Sequence, residues 1–200
     1  MMLTKRFDDA FQLAHDLHRE QTRKGSSVPY ISHLMAVAGL VLEFGGDEDM
    51  AIAALLHDAV EDQGGQATLD KIGERFGARV AGLVLSCTDK IERTAADDAP
   101  AAWRKRKEKD IAAIDGKSAP ELLITACDKL HNLRTIVTDH RHLGDALWAR
   151  FNGGRDGTLW YYREMIAALD RKEISAPLLA ELHFNFGCLE GQISDRKAIP

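Results

Sequence analysis

Residues 47–62 read DEDMAIAALLHDAVED, and this segment is the most informative part of the chain. Asp47 is a residue type that caps helices, and the residues after it are mostly apolar as far as Leu56. The segment then becomes acidic and is followed by a Gly-Gly pair at 64–65, which is a typical helix stop. We therefore predict one helix that begins after Asp47, changes from apolar to acidic along its length, and stops near the glycine pair.

The same helical pattern recurs on both sides of this segment. Apolar residues follow the i, i+3, i+4 spacing after Thr4 and again after Ser32, and both residues can cap a helix. A capping box at 118–121 predicts another helix start, and further helices are expected over 143–150, 158–169 and 176–189. Strand alternation is nowhere convincing. We predict an all-α helical bundle that forms a single domain of residues 1–190, with 191–200 as a flexible tail.

Composition and charge restrict the class of partner. Of the 200 residues, 45% are hydrophobic and 28% are charged, as is usual in a globular protein with a real core. The 26 Lys and Arg residues and 31 Asp and Glu residues give a net charge of −5. Proteins that bind duplex nucleic acid usually have a broad basic surface, so a nucleic-acid polymer is a poor candidate partner for a chain with this net charge. A small anionic ligand held by local cations is compatible with this balance.

Cysteine usage and hydropathy indicate the compartment. The three cysteines lie far apart with no CxxC pair, which predicts neither a disulfide framework nor a cysteine zinc site. Residues 1–20 carry charges throughout, unlike a signal peptide. No apolar run approaches the roughly 20 residues that a membrane-spanning helix needs. We expect a soluble, cytoplasmic protein with no membrane partner, and either a monomer or an oligomer fits these features.

The acidic end of the 47–62 segment concentrates groups that can bind a metal ion. His57 and Glu61 are four residues apart, as are Asp58 and Asp62. On a continuous helix, the imidazole and the three carboxylates therefore emerge on adjoining rows. Carboxylates this close repel one another unless a cation joins them. The pattern by itself fits equally a solvated acidic helix end next to a core histidine.

Two distant residues favour the metal hypothesis. His33 lies just inside the predicted second helix, and Asp128 lies in the middle of a predicted helix among apolar residues, where a carboxylate needs a partner. Together with His57 and Asp58 they form a mixed nitrogen and oxygen set. Such a set suits manganese, iron, zinc or another transition metal and is poorly suited to a site for calcium alone.

Four motifs resemble those of a known family when they are taken in order. The chain contains Arg23-Lys24, then Pro29-Tyr30-Ile31-Ser32-His33, then His57-Asp58-Ala59-Val60-Glu61-Asp62, and then Asp128-Lys129-Leu130-His131-Asn132. An HD pair alone is weak evidence, but the four together are similar to the hydrolase domain of RelA/SpoT-type enzymes, which are HD-domain metal-dependent phosphohydrolases. The resemblance covers residues 18–135 and implies an HD-domain helical bundle. Hydrolases of this family remove the 3′-diphosphate of the stringent-response alarmones ppGpp and pppGpp and release pyrophosphate, typically with manganese.

The resemblance also implies a role for each matching residue. Glu61 and Asp62 match the acidic pair that orients and deprotonates the attacking water. One of the aromatic residues at 160–162 is expected to reach the nucleotide. The metal ligands, for one Mn²⁺ ion, match His33, His57, Asp58 and Asp128. The expected substrate contacts are Arg23, Lys24, Asn132, Thr135 and Tyr161.

Length and motif content narrow the expected activity. Bifunctional family members carry further domains after the hydrolase, for which 200 residues leave no room, so we expect a small stand-alone alarmone hydrolase. One alternative is a hydrolase of the same fold that acts on (p)ppApp or on the 2′-phosphate of NADPH. Another is a non-catalytic nucleotide-binding module, against which the intact Glu61-Asp62 pair argues. The charged stretch 103–115 predicts a largely solvated helix, some of whose cations could approach the diphosphates.

Overall fold

A computed structural model describes residues 2–88 and 100–197, and in these ranges the chain is helical. The one β-type pairing there is an isolated antiparallel bridge between Thr22 and Pro29. The predicted all-α fold is confirmed. Among the helices of these two ranges, none has both the length and the apolar character required to cross a membrane.

The α-helices follow one another with short connections. They are α1 (Lys5–Leu17), α2 (Ile31–Glu43), α3 (Glu48–Leu56), α4 (Ala59–Asp62), α5 (Gly65–Phe76), α6 (Ala78–Cys87), α7 (Pro100–Ala113), α8 (Ala119–Leu143), α9 (Gly154–Asp170) and α10 (Ala176–Lys197). The chain divides into two compact units. Unit 1 takes in α1 to α6 and the start of α8 as far as Cys127, and unit 2 takes in α7, the rest of α8 from Asp128, α9 and α10.

Helix α3 is the centre of unit 1. It packs against α1, α2 and α6, and every residue from Met50 to Leu56 is buried. A helix that is apolar on all its faces is stable only when other helices surround it. Its start is the predicted one, because the Asp47 carboxylate accepts a hydrogen bond of 3.0 Å from the backbone N–H of Met50. The burial of α3 carries the residues at its C-terminal end into the interior of the unit.

The predicted continuous helix is wrong at the residues that carry the chemistry. Helix α3 ends at Leu56, His57 and Asp58 form a turn, and α4 then covers only Ala59–Asp62. Nδ1 of His57 lies 2.8 Å from the carbonyl oxygen of Ala54. In a continuous helix, that oxygen would accept from the backbone N–H of Asp58. The imidazole of His57 is therefore fixed to the last turn of α3, at the point where the helix ends.

The other helix starts show which capping predictions were sound. Thr4 caps α1 as predicted, because its hydroxyl oxygen accepts from the backbone N–H of Arg6. Ser32 does not cap α2, which begins one residue earlier, and its hydroxyl donates to the Pro29 carbonyl instead. The box at 118–121 forms with altered partners, since the Glu121 carboxylate accepts from both the backbone N–H and the hydroxyl of Ser118.

Unit 2 is built around α9, which packs against α7, α10 and the 3₁₀ helix Gly144–Arg150. The helix predicted over 143–150 is thus a 3₁₀ helix, and α9 begins at Gly154 rather than at residue 158. The ring of Trp103 lies against Gly153, where an added Cβ atom would come within 2.7 Å of it. Helix α10 continues through 191–197. The single-domain boundary at 190 and the flexibility of the tail stay predictions.

Candidate active site

Three of the four predicted metal ligands come together in unit 1. His33 lies in the first turn of α2, and His57 and Asp58 form the turn after α3. One ligand atom from each residue can be chosen so that all three lie within 4.8 Å of one another. Both histidines are buried, with exposed fractions of 1% and 3%. Nε2 of His57 and Nε2 of His33 lie 3.1 Å and 3.6 Å from Oδ2 of Asp58.

The hydrogen bond of His57 determines which of its nitrogens can bind a metal. The Ala54 carbonyl only accepts, so Nδ1 of His57 carries the proton at this 2.8 Å contact. Nε2 then presents its lone pair toward the Asp58 carboxylate, which also only accepts. Two acceptors 3.1 Å apart need a cation next to them, and a backbone carbonyl on the opposite nitrogen is the usual support of a metal-binding histidine. These residues fit a divalent metal ion.

Asp58 is held as an ionised carboxylate. Burial alone raises the pKa of Asp58, but positive charge on His57 and His33, when those imidazoles are protonated, outweighs burial and holds that pKa well below its usual value. A divalent cation would supply the same positive charge next to neutral imidazoles. The hydroxyl of Tyr30 donates to Oδ2 of Asp58 at 2.6 Å. Burial and the neighbouring carboxylate raise the pKa of Tyr30, so this hydroxyl stays a neutral donor. Sequence analysis did not assign Tyr30 a role, although it lies inside one of the quoted motifs.

The predicted catalytic pair lies on α4, directly after the ligand turn. Glu61 is half-buried and Asp62 is exposed. The prediction that these side chains lie on adjoining rows assumed one continuous helix, and the helix is broken here. The backbone N–H of Asp62 nevertheless bonds the Asp58 carbonyl at 2.9 Å. One helical turn therefore separates the ligand from the acid, as the spacing predicted. The Asp62 carboxylate accepts a 2.8 Å hydrogen bond from Nε2 of Gln21, a contact that sequence analysis missed.

The predicted loop cations lie between α1 and α2. The loop is closed by the pairing of Thr22 with Pro29, and the backbone N–H of Arg23 bonds the Val28 carbonyl at 2.8 Å. The guanidinium of Arg23 lies 5.5 Å from the centroid of the Tyr30 ring, a cation–π distance, and Lys24 is exposed. This loop therefore presents both cations from the same unit that holds the three ligands.

The remaining predicted residues belong to unit 2. The Asp128 carboxylate accepts from Lys129 at 2.7 Å and from Asn132 at 2.6 Å along α8. Burial alone lowers the pKa of Lys129, but the adjacent Asp128 outweighs burial and holds that pKa well above its usual value. Thr135 donates to the carbonyl of His131 in its own helix. The place of Asp128 as fourth ligand stays a prediction.

Tyr161, on α9, has a buried hydroxyl that meets no hydrogen-bond partner among the described residues. The ammonium of Lys107 lies 4.9 Å from the centroid of its ring and pairs with Asp110 at 2.8 Å. Lys105 and Lys109 are exposed, as predicted for a solvated helix, whereas the Lys107 side chain is only 24% exposed. A buried hydroxyl next to a partly buried cation is a polar site that an anionic group could fill.

Comparison with known proteins agrees with this geometry. Residues 10–159 match the family model of the HD domain. The chain belongs to the HD domain family. Among solved structures, this HD domain resembles a metazoan orthologue of SpoT that hydrolyses ppGpp, with a TM-score of 0.73, 26% identity, and coverage of 93% of this chain and 96% of that one. A protein from Listeria monocytogenes matches with a TM-score of 0.64 and 26% identity over 77% of this chain and 96% of that one.

The sequence relatives of this HD domain fall into a short and a long class. The chain is 37% identical over 131 residues to the guanosine-3′,5′-bis(diphosphate) 3′-pyrophosphohydrolase MESH1 of Mus musculus, covering 64% of this chain and 68% of that protein. It is 36% identical over 132 residues to the bifunctional (p)ppGpp synthase/hydrolase SpoT of Escherichia coli, covering 66% of this chain but only 18% of that protein. A probable GTP pyrophosphokinase of Mycobacterium leprae is 40% identical over 127 residues, which are 64% of this chain and 15% of that protein. The predicted resemblance to RelA/SpoT-type HD hydrolases is confirmed.

Proposed function

We propose that this HD domain removes the 3′-diphosphate of ppGpp and pppGpp, giving GDP or GTP and pyrophosphate. The observation that carries the proposal is the convergence of His33, His57 and Asp58 in a chain 37% identical to a mouse enzyme named for this reaction. The similar fold of a metazoan orthologue of SpoT that hydrolyses ppGpp supports it further. A nucleotide substrate is consistent with activity in the cytoplasm and requires no nucleic-acid polymer.

The proposed cofactor is one Mn²⁺ ion held by Nε2 of His57, Nε2 of His33 and the Asp58 carboxylate, with Asp128 as fourth ligand. Such an ion, when bound, withdraws charge from the phosphate oxygens and makes water a better nucleophile at neutral pH. The protein prepares the ligands for it. Ala54 holds His57 in the required tautomer, and Tyr30 fixes the orientation of the Asp58 carboxylate.

Glu61 and Asp62 are the proposed acid–base pair. Their carboxylates would accept the proton of the attacking water and orient it toward the phosphorus atom attached to the 3′ oxygen. The bond between that phosphorus and the ribose oxygen breaks, the oxygen takes up a proton, and the hydroxyl of the water leaves with pyrophosphate. Glu61 is half-buried, which restricts the rotamers of its side chain. The Asp62 carboxylate accepts a hydrogen bond from Gln21.

The proposed substrate contacts supply charge and base recognition. Arg23 and Lys24 would meet the nucleotide from their loop, since a guanidinium can stack on a purine or form paired bonds to a phosphate. Tyr161 and Asn132 are the other proposed contacts with the nucleotide. Because Thr135 donates its proton to the His131 carbonyl, its oxygen is left to accept. Such an acceptor can meet an N–H group of the base, and guanine and adenine both offer one.

The direct test is to incubate the purified protein with ppGpp and Mn²⁺ and to separate the products by ion-exchange chromatography. We expect GDP and pyrophosphate in equal amounts, and loss of turnover when the metal is chelated. Release of single phosphates, or full activity in excess chelator, would overturn the proposal. A panel with ppApp and NADPH at equal concentration measures the preference, which we expect to favour ppGpp.

The matched inactive protein is the double variant Glu61→Gln, Asp62→Asn, which keeps side-chain size but removes both bases. We expect its kcat to fall by at least about 100-fold, the usual contribution of a positioned general base. Binding of ppGpp by the variant, measured by calorimetry, should persist. Equal turnover by parent and variant would instead indicate that this HD domain is a non-catalytic nucleotide-binding module.

A further inference from the structure

Gln21, which follows the turn after α1, is joined to the predicted catalytic acid Asp62 by a hydrogen bond, and two further contacts hold its side-chain amide. Its Nε2 atom donates to Oδ2 of Asp62 at 2.8 Å. Its Oε1 atom lies 2.7 Å from Nδ1 of His18 and accepts from Nε2 of Gln63 at 2.7 Å. The side-chain amide therefore makes three contacts, each with a different residue of unit 1.

The chemistry of Asp62 determines how this amide is turned. An ionised carboxylate only accepts hydrogen bonds, so the nitrogen of Gln21 must face it. The oxygen of Gln21 then faces His18, so Nδ1 of that histidine must carry a proton. The same oxygen takes a second donor from Gln63. If the amide of Gln21 were flipped, its N–H groups would face the donors of His18 and Gln63, and its oxygen would face the Asp62 carboxylate.

The groups that hold Gln21 are themselves fixed. The backbone N–H of Gln21 bonds the His18 carbonyl at 3.0 Å, and the Gln21 carbonyl accepts from the backbone N–H of Tyr30 at 2.9 Å. The His18 side chain is 2% exposed, and its ring stacks on Tyr30 with centroids 5.2 Å apart and planes 18° apart. Tyr30 also bonds the predicted ligand Asp58. The predicted ligand Asp58 and the predicted acid Asp62 are therefore bonded to Tyr30 and Gln21, two residues that are themselves hydrogen-bonded to each other.

The position of Asp62 at the surface explains why such a support matters. Its side chain is exposed, and it ends α4, a helix of only four residues. An exposed carboxylate at the end of so short a helix has several rotamers available in water. The bond from Gln21 selects one of them. A base that must meet one proton of one water molecule gains rate from such positioning, because small displacements of a reacting group are costly.

We propose that Gln21 is a positioning residue for Asp62, and that His18 and Gln63 hold its amide in the orientation this requires. The inference rests on the proposed function for the role of Asp62. Gln21 is not expected to touch the substrate or the metal. Its effect should therefore appear in the rate of the chemical step and in neither substrate binding nor metal binding.

The test compares Gln21→Met, which keeps the chain length but removes the amide, with the control Gln66→Met. Gln66 makes the same kind of bond, from its amide to the Asp70 carboxylate at 2.8 Å, on the exposed face of α5. With ppGpp and Mn²⁺ we expect kcat of Gln21→Met to fall about 10- to 100-fold, while KM and Mn²⁺ affinity stay within about 2-fold of the parent. Gln66→Met should behave as the parent. Gln63→Met, which removes one donor to the amide, should give a smaller fall in kcat.

A double-variant cycle separates positioning from a general loss of structure. In an Asp62→Asn background, Gln21→Met should change the residual rate by less than about 2-fold, because the base that Gln21 positions has already been removed. An equal loss in both backgrounds would overturn the proposal. So would parent-like turnover of Gln21→Met, or a loss confined to KM or to metal affinity.

The hydrogen bond can also be tested without turnover. In ¹⁵N spectra of the parent, the side-chain amide of Gln21 should be shifted from the free-glutamine position and should exchange slowly with water. Asp62→Asn should move that resonance, and Gln66→Met should not. A resonance at the free-glutamine position that ignores Asp62→Asn would refute the contact. If the parent fails to hydrolyse ppGpp, the proposed function fails, and these spectra still decide whether Gln21 holds Asp62.

Discussion

Nε2 of His57 and Oδ2 of Asp58 face each other across 3.1 Å, while Nδ1 of the same imidazole bonds the Ala54 carbonyl at 2.8 Å. The arrangement directs an imidazole lone pair and a carboxylate toward one point from two consecutive residues. The contact lies at the point where α3 ends, at Leu56.

Loss of either group should abolish metal binding. For His57→Ala we expect Mn²⁺ affinity, measured by calorimetry or by the EPR signal of free Mn²⁺, to fall by more than about 100-fold, since losing an outer partner alone costs about 10- to 100-fold. The matched control is His183→Ala, because Nε2 of His183 bonds Asp170 at 2.8 Å on the surface of unit 2. Equal Mn²⁺ affinity in both variants would contradict the site.

Removing the Tyr30 hydroxyl should weaken the metal site without unfolding the protein. Tyr30→Phe keeps the ring that stacks on His18 but loses the 2.6 Å hydrogen bond to Asp58. We expect Mn²⁺ affinity to fall about 10-fold, as for other partners of metal ligands, with little change in the melting temperature. The measurement is a Mn²⁺ titration of both proteins in the same buffer. Unchanged affinity would show that the hydroxyl does not orient the ligand.

The cap of α3 should contribute stability that depends on pH. The Asp47 carboxylate bonds the backbone N–H of Met50 and pairs with Arg79 at 2.6 Å. We expect Asp47→Ala to lower the free energy of unfolding at pH 6 by about 1 to 2 kcal/mol, as measured by urea unfolding. The exposed control Asp156→Ala, which loses a surface pair with Arg155, should change it by less than about 0.5 kcal/mol.

The sign of the pH effect follows from the Arg79 contact, which lowers the pKa of Asp47 in the folded state. A lowered folded pKa means that the carboxylate stabilises the fold fully above its unfolded pKa of about 3.9 and progressively less as the pH falls below that value. The difference between parent and Asp47→Ala should therefore be constant above about pH 5 and shrink as the pH falls below about 4. A difference that grows on acidification would contradict this assignment.

Close packing in unit 2 should make one glycine intolerant of a side chain. A Cβ atom at Gly153 would lie within 2.7 Å of the Trp103 ring, so Gly153→Ala forces a displacement and should cost about 1 to 3 kcal/mol in urea unfolding. The control is Gly82→Ala in α6, where an added Cβ meets nothing within 4 Å. That substitution should leave stability unchanged or raise it by up to about 1 kcal/mol. Equal effects would show that Trp103 can move away freely.

Local signals in the chain were enough to predict most helix starts and the chemistry of the ligands. The caps at Thr4 and Asp47 were predictable because capping joins residues two or three apart. The apolar run of α3 predicted a buried helix for the same reason, since periodicity is a local property. Asp58 and Asp62 remain one helical turn apart, as their spacing required.

Tertiary contacts decided the rest. The approach of His33 to His57 depends on how α2 packs against α3, which no spacing encodes. At the break after Leu56, the buried imidazole of His57 satisfies its Nδ1 proton at the Ala54 carbonyl. The proposed role of Gln21 depends on a tertiary contact, because the segment after α1 and the end of α4 bring an amide and a carboxylate within 2.8 Å. Residue types set which bonds are available to a side chain, and packing selects which of them form.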